Sequence, residues 1–286
     1  MRNKGKTLEG EMSFFEHLEA LRWHLIRSAL AIVVFAIFAF IYYDTIFNGL
    51  IMAPTHEDFW TYRQMCAFGH WLHSIISWFA AEDFCVKTVK VNLINTELAG
   101  QFTLQFNSAI IIGLTLGVPY ILWEVWKFIK PALHEKERKS ASGFVFYSSM
   151  LFALGVSFGY FVVTPLAVKF FVNYIVSTSI TNMISTDSYI STVTTLTLAS
   201  GLGFQLPILV YILANIGILT PKFMRRTRRY AVVLILIIAA LITPTPDALT
   251  MCVVAVPLML LYEISILVAA KVERRKAKKE QALMKL

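Results

Sequence analysis

The chain has 286 residues, of which 57% are hydrophobic and 15% charged, with a mean hydropathy of +0.64 and a net charge of +8. A soluble domain is about 45–50% apolar and about 25% charged. This composition therefore excludes a soluble enzyme with a single anchor and predicts one membrane domain over residues 1–286 with several spans.

Stretches of roughly 20 apolar residues can cross the hydrocarbon core of a bilayer as helices. The sequence predicts an all-α protein with six such spans, at about 24–43, 104–126, 143–163, 190–214, 230–243 and 249–270. The fifth, YAVVLILIIAALIT, has only 14 residues before Pro244. The bilayer should thin there, or neighbouring helices should shield the helix end. The long polar and acidic segment before the first span argues against a cleavable signal peptide.

The basic residues predict the orientation of the spans. With six spans, 22 of the 26 Lys and Arg residues fall on the side that holds both termini, including a basic tail at 271–286. Lys and Arg accumulate on the cytoplasmic side of membrane proteins, so both termini are predicted to be cytoplasmic. The positive net charge is then a topology signal, and we expect no nucleic-acid partner.

Two loops are predicted on the outer side, a long one at about 44–103 and a shorter one at about 164–189. The long loop contains MCAFGHWLHSIISWFA, whose apolar residues have helical spacing. This segment is too short to span and is expected to be an amphipathic helix at the outer interface. Cys66 and Cys85 share this loop and either form a disulfide or remain two thiols.

One catalytic motif matches but is rejected. GVSFG, from Gly155 to Gly159, fits the G-x-S-x-G nucleophile pattern, but it lies inside the third span and all six histidines fall in loops or at span ends. The same two glycines form G-x-x-x-G, which is typical of close helix packing in membranes. We find no metal-binding or phosphate-binding motif, and no cofactor is expected.

Polar residues within the spans are functional candidates, because their burial in a membrane is costly. Gln205 either makes an interhelical hydrogen bond or faces a wet cavity beside the helix break that Pro207 should cause. Glu124 either pairs with Lys127 at i,i+3 or serves a function. Glu263 has no basic neighbour along its own helix before Lys271, so it needs a partner from another span or access to water.

Acidic residues precede the first span, in SFFEHLEALRWHL. Ser13 and Glu16 fit a capping box, and Glu19 can pair with Arg22. In the loop KPALHEKERKSA, Glu137 can be simply solvated. Each of these acids alone is explained by local structure, and only their combination suggests a binding site.

Several long motifs follow one another in a specific order: FFEHLEALRWHL, PYILWEVWKFIKPALHEKERK, GYFVVTPLA, GLGFQLPILVYILANIGILTPKFMRRTRRYAVV, TPTPD and PLMLLYEI. Together they resemble the TatC family, the six-span core of the twin-arginine protein translocase. The resemblance extends from about residue 12 to 270, apart from the long outer loop.

The resemblance implies a glove-like, concave bundle in the bacterial cytoplasmic membrane that is a receptor and not an enzyme. Proteins of this family bind the twin-arginine signal peptides of folded precursors on the cytoplasmic side. They work with TatA/TatB-type single-span subunits and further TatC copies, surrounded by membrane lipid, and transport depends on the proton-motive force. Acidic side chains suit such a ligand, because a guanidinium forms bidentate contacts with a carboxylate.

The family motifs assign residues to two sites. The implied signal-peptide site consists of Glu137, Glu19, Arg22, Arg138 and Glu16. The implied intramembrane polar set, which includes the partner interface, consists of Glu124, Gln205, Pro207, Glu263 and Asp247. TPTPD is one residue longer than the usual motif, so Asp247 matches with a local insertion. At the N-terminal motif the family's key carboxylate falls on Ala20, and the nearest acid is Glu19.

A second departure concerns two positions within the spans. The family usually has glutamate where this chain has Gln205, and glutamine where it has Glu124. Our hypothesis is that both side chains line one concave face and that one intramembrane carboxylate is retained on a different span. The alternative function is a secondary transporter of a small solute, but such folds usually contain internal repeats, and the two halves of this chain show none.

Overall fold

The structure is a computed structural model that describes residues 14–56, 58–75, 93–129, 143–177, 182–243 and 248–284. Its α-helices, in chain order, are α1 (Phe14–Ile41), α2 (Tyr43–Ile46), α3 (Trp60–Ile75), α4 (Gly100–Ile129), α5 (Phe144–Phe158), α6 (Thr164–Asn173), α7 (Thr186–Gly203), α8 (Leu206–Ile216), α9 (Pro221–Arg226), α10 (Arg228–Ile242) and α11 (Ala248–Leu283). The shorter elements are π-helical turns at Phe47–Ile51 and Gly159–Val163, a 3-10 turn at Ala53–Thr55, and strands β1 (Leu93–Ile94) and β2 (Ile184–Ser185), which pair in parallel.

Five helical stretches within the described ranges are long and apolar enough to cross a membrane: Leu18–Ile41, Gly100–Ile129, Phe144–Asn173, Thr186–Ile216 and Thr250–Lys278. They confirm the predicted all-α, polytopic membrane fold. The fifth predicted span corresponds to α10, which has only 15 residues. The total of six spans and the cytoplasmic side of the termini therefore stay predictions.

Two helices are longer than predicted. The third span continues past Val163 through Thr164 and Pro165 into α6, so much of the predicted outer loop at 164–189 is helical. Proline is tolerated in the first turn of a helix, where its missing N–H has no intrahelical partner anyway. The described part of the predicted basic tail continues α11, which reaches Leu283 because its Ala, Lys, Arg and Glu residues are good helix formers.

The predicted loop at about 44–103 contains α3, which starts at Trp60, earlier than the apolar pattern suggested. Its place at the outer interface stays a prediction. Three tyrosine hydroxyls attach to the backbone just before it: Tyr62 donates to the Pro54 carbonyl, Tyr160 to that of Leu50 and Tyr189 to that of Ile51. Burial raises the pKa of the Tyr62 hydroxyl, so this group remains a protonated donor.

The chain divides into two compact units. The first contains the described parts of Met1–Ile41 and Ala109–Ser149, where α1 packs closely on α4. A Cβ added to Gly113 would lie 2.6 Å from the backbone nitrogen of Ala36, so only glycine permits this approach. The second contains the described parts of Tyr42–Ser108 and Met150–Leu286.

The second unit has two buried apolar clusters, each of which joins several helices. The first includes Val163, Leu196, Ile235, Ala239, Val254 and Leu258, from the third span, α7, α10 and α11. The second includes Val210, Ala214, Met224, Ile266, Ala269 and Val272, from α8, α9 and α11. The long helix α11 contributes to both clusters and so organises this unit.

The GVSFG motif is helical and lies against α7. Added Cβ atoms would lie 2.8 Å from the Ser200 carbonyl oxygen at Gly155 and 2.8 Å from the Thr197 Cα at Gly159. These contacts confirm that the glycines serve helix packing and rule out the strand-to-helix turn that a nucleophile would need.

Candidate functional site

A buried carboxylate with three basic neighbours is the main polar feature of the first unit. The Glu124 side chain on α4 is only 1% exposed. Its Oε2 lies 2.6 Å from Nδ1 of His24 on α1, and its Oε1 accepts a 2.9 Å hydrogen bond from the Lys127 ammonium. An Arg27 guanidinium nitrogen lies 4.0 Å from Oε2. We call these four residues the Glu124 cluster.

Helical spacing explains how the Glu124 cluster is assembled. His24 and Arg27 are three residues apart on α1, and Glu124 and Lys127 are three apart on α4, so each helix presents its pair on one face. The predicted pairing of Glu124 with Lys127 is confirmed. The contribution of α1 was not predicted, because His24 lies 100 residues from Glu124 and no local pattern connects them.

Aromatic rings fix the positions of these side chains. The Lys127 ammonium lies 3.5 Å from the centre of the Trp123 ring, a cation–π contact. The ring of His24 meets that of Phe128 edge to face at 6.1 Å. Trp126 stacks on Phe144 of α5 at 4.4 Å. The aromatic residues of LWEVWKF thus support the carboxylate on its own helix and link α4 to α5.

The electrostatic balance of the Glu124 cluster is positive. One carboxylate faces Lys127 and Arg27, which carry full charges, and His24, which adds another charge when protonated. An ionised carboxylate accepts hydrogen bonds but cannot donate them. The Nδ1 of His24 must therefore donate to ionised Glu124. All three bases compete for one acid, which keeps the Glu124 carboxylate bound within its own unit.

The acids at the start of α1 are arranged differently. Glu19 and Arg22 are both exposed, and the alternative that they pair is not observed: neither makes an ion pair with any described residue. Glu16 belongs to α1, but its side chain lies outside the described part of the structure, as do Glu137 and Arg138. The binding role of these five residues stays a prediction.

The helix break near Gln205 is confirmed. Helix α7 ends at Gly203, a turn follows, and α8 begins at Leu206 with Pro207 in its first turn. The half-buried Gln205 precedes α8 as its N-cap, and its side chain does not cap the helix. Gln205 belongs to the second unit and Glu124 to the first. The hypothesis that both line one face stays a prediction.

The partner that Glu263 needs comes from another helix. The Arg228 guanidinium at the start of α10 donates a 2.7 Å hydrogen bond to the Glu263 carboxylate on α11. Next to it, the Tyr262 hydroxyl donates to the Met224 carbonyl of α9 at 2.9 Å. Together these bonds tie α9, α10 and α11 at one level.

Replacing Arg228 and Glu263 with glutamine, singly and together, should reveal a weak coupling of about 0.2–1 kcal/mol, since exposed ion pairs gain little. The two side chains are 49% and 39% exposed, so water competes with the pair. Unfolding of the four proteins in detergent measures this coupling. A value above about 3 kcal/mol, typical of buried pairs, would contradict the expectation.

The predicted disulfide and Asp247 are only partly covered by the described residues. Cys66 takes part in a disulfide bond, whereas Cys85 lies outside the described residues, as does Asp247. Cys252 on α11 is an exposed free thiol. Within the described ranges, no group of three or more His, Cys, Asp or Glu side chains could hold a metal ion.

Comparison with known proteins identifies the family. The family described as Sec-independent protein translocase protein (TatC) matches residues 16–257. The TatC protein of Blattabacterium sp. subsp. Periplaneta americana is 35% identical over 95% of this chain and 100% of its own length. That of Deinococcus radiodurans is 38% identical over 93% of this chain and 88% of its own length.

The fold agrees with this match. A crystal structure described as the twin arginine translocase receptor TatC covers 90% of this chain and 99% of its own, with 30% sequence identity and a TM-score of 0.65. A second crystal structure, described as this receptor in DDM, gives a TM-score of 0.67 and covers 88% of this chain. The chain therefore belongs to the TatC family of Sec-independent protein translocase proteins.

Proposed function

We propose that the chain is the receptor and scaffold subunit of a twin-arginine translocase in the bacterial inner membrane, and that it is not an enzyme. It binds twin-arginine signal peptides on the cytoplasmic side. It then assembles with TatA/TatB-type subunits and further copies of itself to export folded proteins at the expense of the proton-motive force. The observation that carries the proposal is the match to TatC proteins along residues 16–257, together with the similarity to a solved twin arginine translocase receptor.

The signal-peptide site in this proposal is formed by Glu137 and Glu19, with Glu16, Arg22 and Arg138 beside them. The exposed Glu19 carboxylate supports it, because this acid makes no ion pair with the described residues and can accept a ligand guanidinium. Exposed pairs contribute only about 0.2–1 kcal/mol each. Several carboxylates must therefore act together, and the fixed planar geometry of arginine favours it over lysine.

The intramembrane polar residues have a separate role in this proposal. Glu124, Gln205, Pro207, Glu263 and Asp247 shape the spans and the surface that meets partner subunits. Three bases already surround Glu124, which supports assigning this acid to the transport step and not to first capture of the peptide. Glu263 is 39% exposed and remains accessible to a partner despite its bond to Arg228.

A peptide-binding assay tests the proposed function. Detergent-solubilised protein should bind a labelled twin-arginine signal peptide, and changing both arginines to lysine should weaken binding. Glu137→Ala and Glu19→Ala should each raise the Kd up to about fivefold, the equivalent of one exposed ion pair. Glu273→Ala removes an exposed acid on α11 and serves as the control, which should leave the Kd unchanged.

The same assay separates the receptor from the alternative, a small-solute transporter, which the family match does not favour. A transporter would be indifferent to the peptide. Equal binding of the arginine and lysine peptides by the unmodified protein would contradict the proposal.

A further inference from the structure

A basic groove in the second unit lies outside both proposed sites. It is formed by α9 and by the polar end of α11, and it has a volume of about 490 Å³. Its cationic side chains are Arg225, Lys271, Arg274, Arg275 and Lys278. Its apolar floor is formed by Leu267 and Ala270.

The charges of the groove are concentrated on one helical face. Lys271, Arg274, Arg275 and Lys278 follow the i, i+3, i+4, i+7 pattern, so they project from the same side of α11. All of them are exposed, as is Arg225 from α9, and none makes an ion pair with a described residue. Five cations thus share one surface without forming ion pairs with the described residues, which favours an anionic ligand.

The opposite side of α11 holds the groove in place. Lys276 donates to the carbonyls of Ala214 and Asn215 at the end of α8, and Val272 is buried in the apolar cluster with Ala214. A lysine at a helix C-terminus satisfies carbonyls that lack intrahelical partners. The polar end of α11 is therefore packed against the unit, and its basic face points outward.

An exposed apolar ridge leads directly into the groove. Val256, Leu260, Ile264 and Leu267 are 59%, 60%, 47% and 66% exposed and lie on the same face of α11 as the basic residues. At about 1.5 Å per residue, this ridge is about 16 Å long. Its last residue, Leu267, lies about one helical turn before Lys271. The ligand that matches this surface is anionic at one end and apolar along the rest of its length.

We propose that this groove binds the head group of an anionic phospholipid, whose acyl chains lie along the ridge from Val256 to Leu267. Clusters of Lys and Arg at the end of a membrane span attract the anionic lipids of that leaflet. The apolar floor and the ridge favour a lipid over a free phosphate or a nucleic acid, which would gain nothing from the apolar surface. The proposal does not depend on the signal-peptide site.

Lipid titration of the delipidated protein, followed by native mass spectrometry, tests this proposal. The ligands are phosphatidylglycerol and phosphatidylcholine with the same acyl chains. Arg274→Gln combined with Lys278→Gln removes two groove charges. Lys222→Gln combined with Arg226→Gln removes two exposed charges of the same types from α9, outside the groove, and is the matched control. Thermal unfolding without lipid checks that both variants are folded.

The groove variant should bind phosphatidylglycerol roughly 10- to 30-fold more weakly, since each interfacial charge is worth about fivefold in affinity. The control variant should bind it like the original protein, and phosphatidylcholine should bind equally weakly to all three. Equal loss in both variants would show only nonspecific attraction and would overturn the proposal.

Two further arms separate other occupants. Inorganic phosphate at the same concentration should not displace phosphatidylglycerol, and displacement would identify a simple anion site instead. The groove variant should bind the twin-arginine peptide normally. Loss of peptide binding together with unchanged lipid binding would assign the groove to a protein ligand and overturn the lipid proposal.

Discussion

Replacing Glu124 with glutamine should slow the export of a twin-arginine precursor by about tenfold or more, whereas Gln205→Ala should slow it by no more than about twofold. Glutamine has nearly the same shape as glutamate but carries no charge. The experiment therefore tests the charge of the side chain and not its volume.

The contacts of the Glu124 cluster explain why the charge of Glu124 matters, and they also predict a loss of folding stability. The carboxylate is 1% exposed and bonds to His24 at 2.6 Å and to Lys127 at 2.9 Å. Removing one partner of a fully buried ion pair costs about 3–5 kcal/mol, because the remaining charge is left without compensation. Lys127 and Arg27 are 35% and 53% exposed and can turn toward water. Glu124→Gln should therefore cost less stability than the loss of a fully buried ion pair, about 1–3 kcal/mol.

Export of a reporter precursor in cells, normalised to the amount of protein in the membrane, measures this effect. Glu273→Gln makes the same chemical change at an exposed acid and should leave the export rate unchanged. The double exchange Glu124→Gln with Gln205→Glu should restore export in part, since one intramembrane carboxylate is again present. Equal export rates in the Glu124→Gln and Gln205→Ala variants would contradict the hypothesis that the carboxylate is retained on another span.

Gly159→Ala should destabilise the protein by about 1–3 kcal/mol. The added Cβ would lie 2.8 Å from the Thr197 Cα and 2.9 Å from the Leu196 carbonyl oxygen, both backbone atoms of α7. A backbone atom cannot rotate away as a flexible side chain can. The third span and α7 would have to move apart, and the apolar cluster around Val163 and Leu196 would lose contacts.

Gly49→Ala is the matched control, because an added Cβ there has no neighbour within 4 Å. The same substitution at an unhindered site usually stabilises a protein by about 0.4–1 kcal/mol, since alanine restricts the unfolded chain. The two variants should therefore shift thermal unfolding in detergent in opposite directions. A stabilising effect of Gly159→Ala would contradict the tight contact between these helices.

The sequence predicted the features that depend on neighbours along the chain. Apolar length predicted the membrane helices, the proline of FQLPI predicted the break after Gly203, and the spacing of two glycines predicted close packing in place of catalysis. The i,i+3 spacing of Glu124 and Lys127 suggested their pairing. All these properties arise from helical periodicity or from backbone sterics, which act over a few residues.

Helix ends were less predictable, because apolarity marks the part of a helix within the bilayer and not the whole helix. The third span continues into α6 beyond the apolar stretch, and α11 continues through its basic end to Leu283. Backbone hydrogen bonds and good helix formers extend a helix beyond its apolar stretch, and hydropathy does not predict where such an extension ends.

The sequence by itself determined the membrane class, the helical content and the family motifs of this protein. Only the tertiary structure decided which charged groups pair. Glu124 bonds to His24, 100 residues away in sequence, and Glu263 bonds to Arg228, 35 residues away. It also decided that Lys276 packs against α8 while the neighbouring cations face outward. The physical reason is that a charged group removed from water needs a partner close in space, and distance along the chain does not limit where that partner lies.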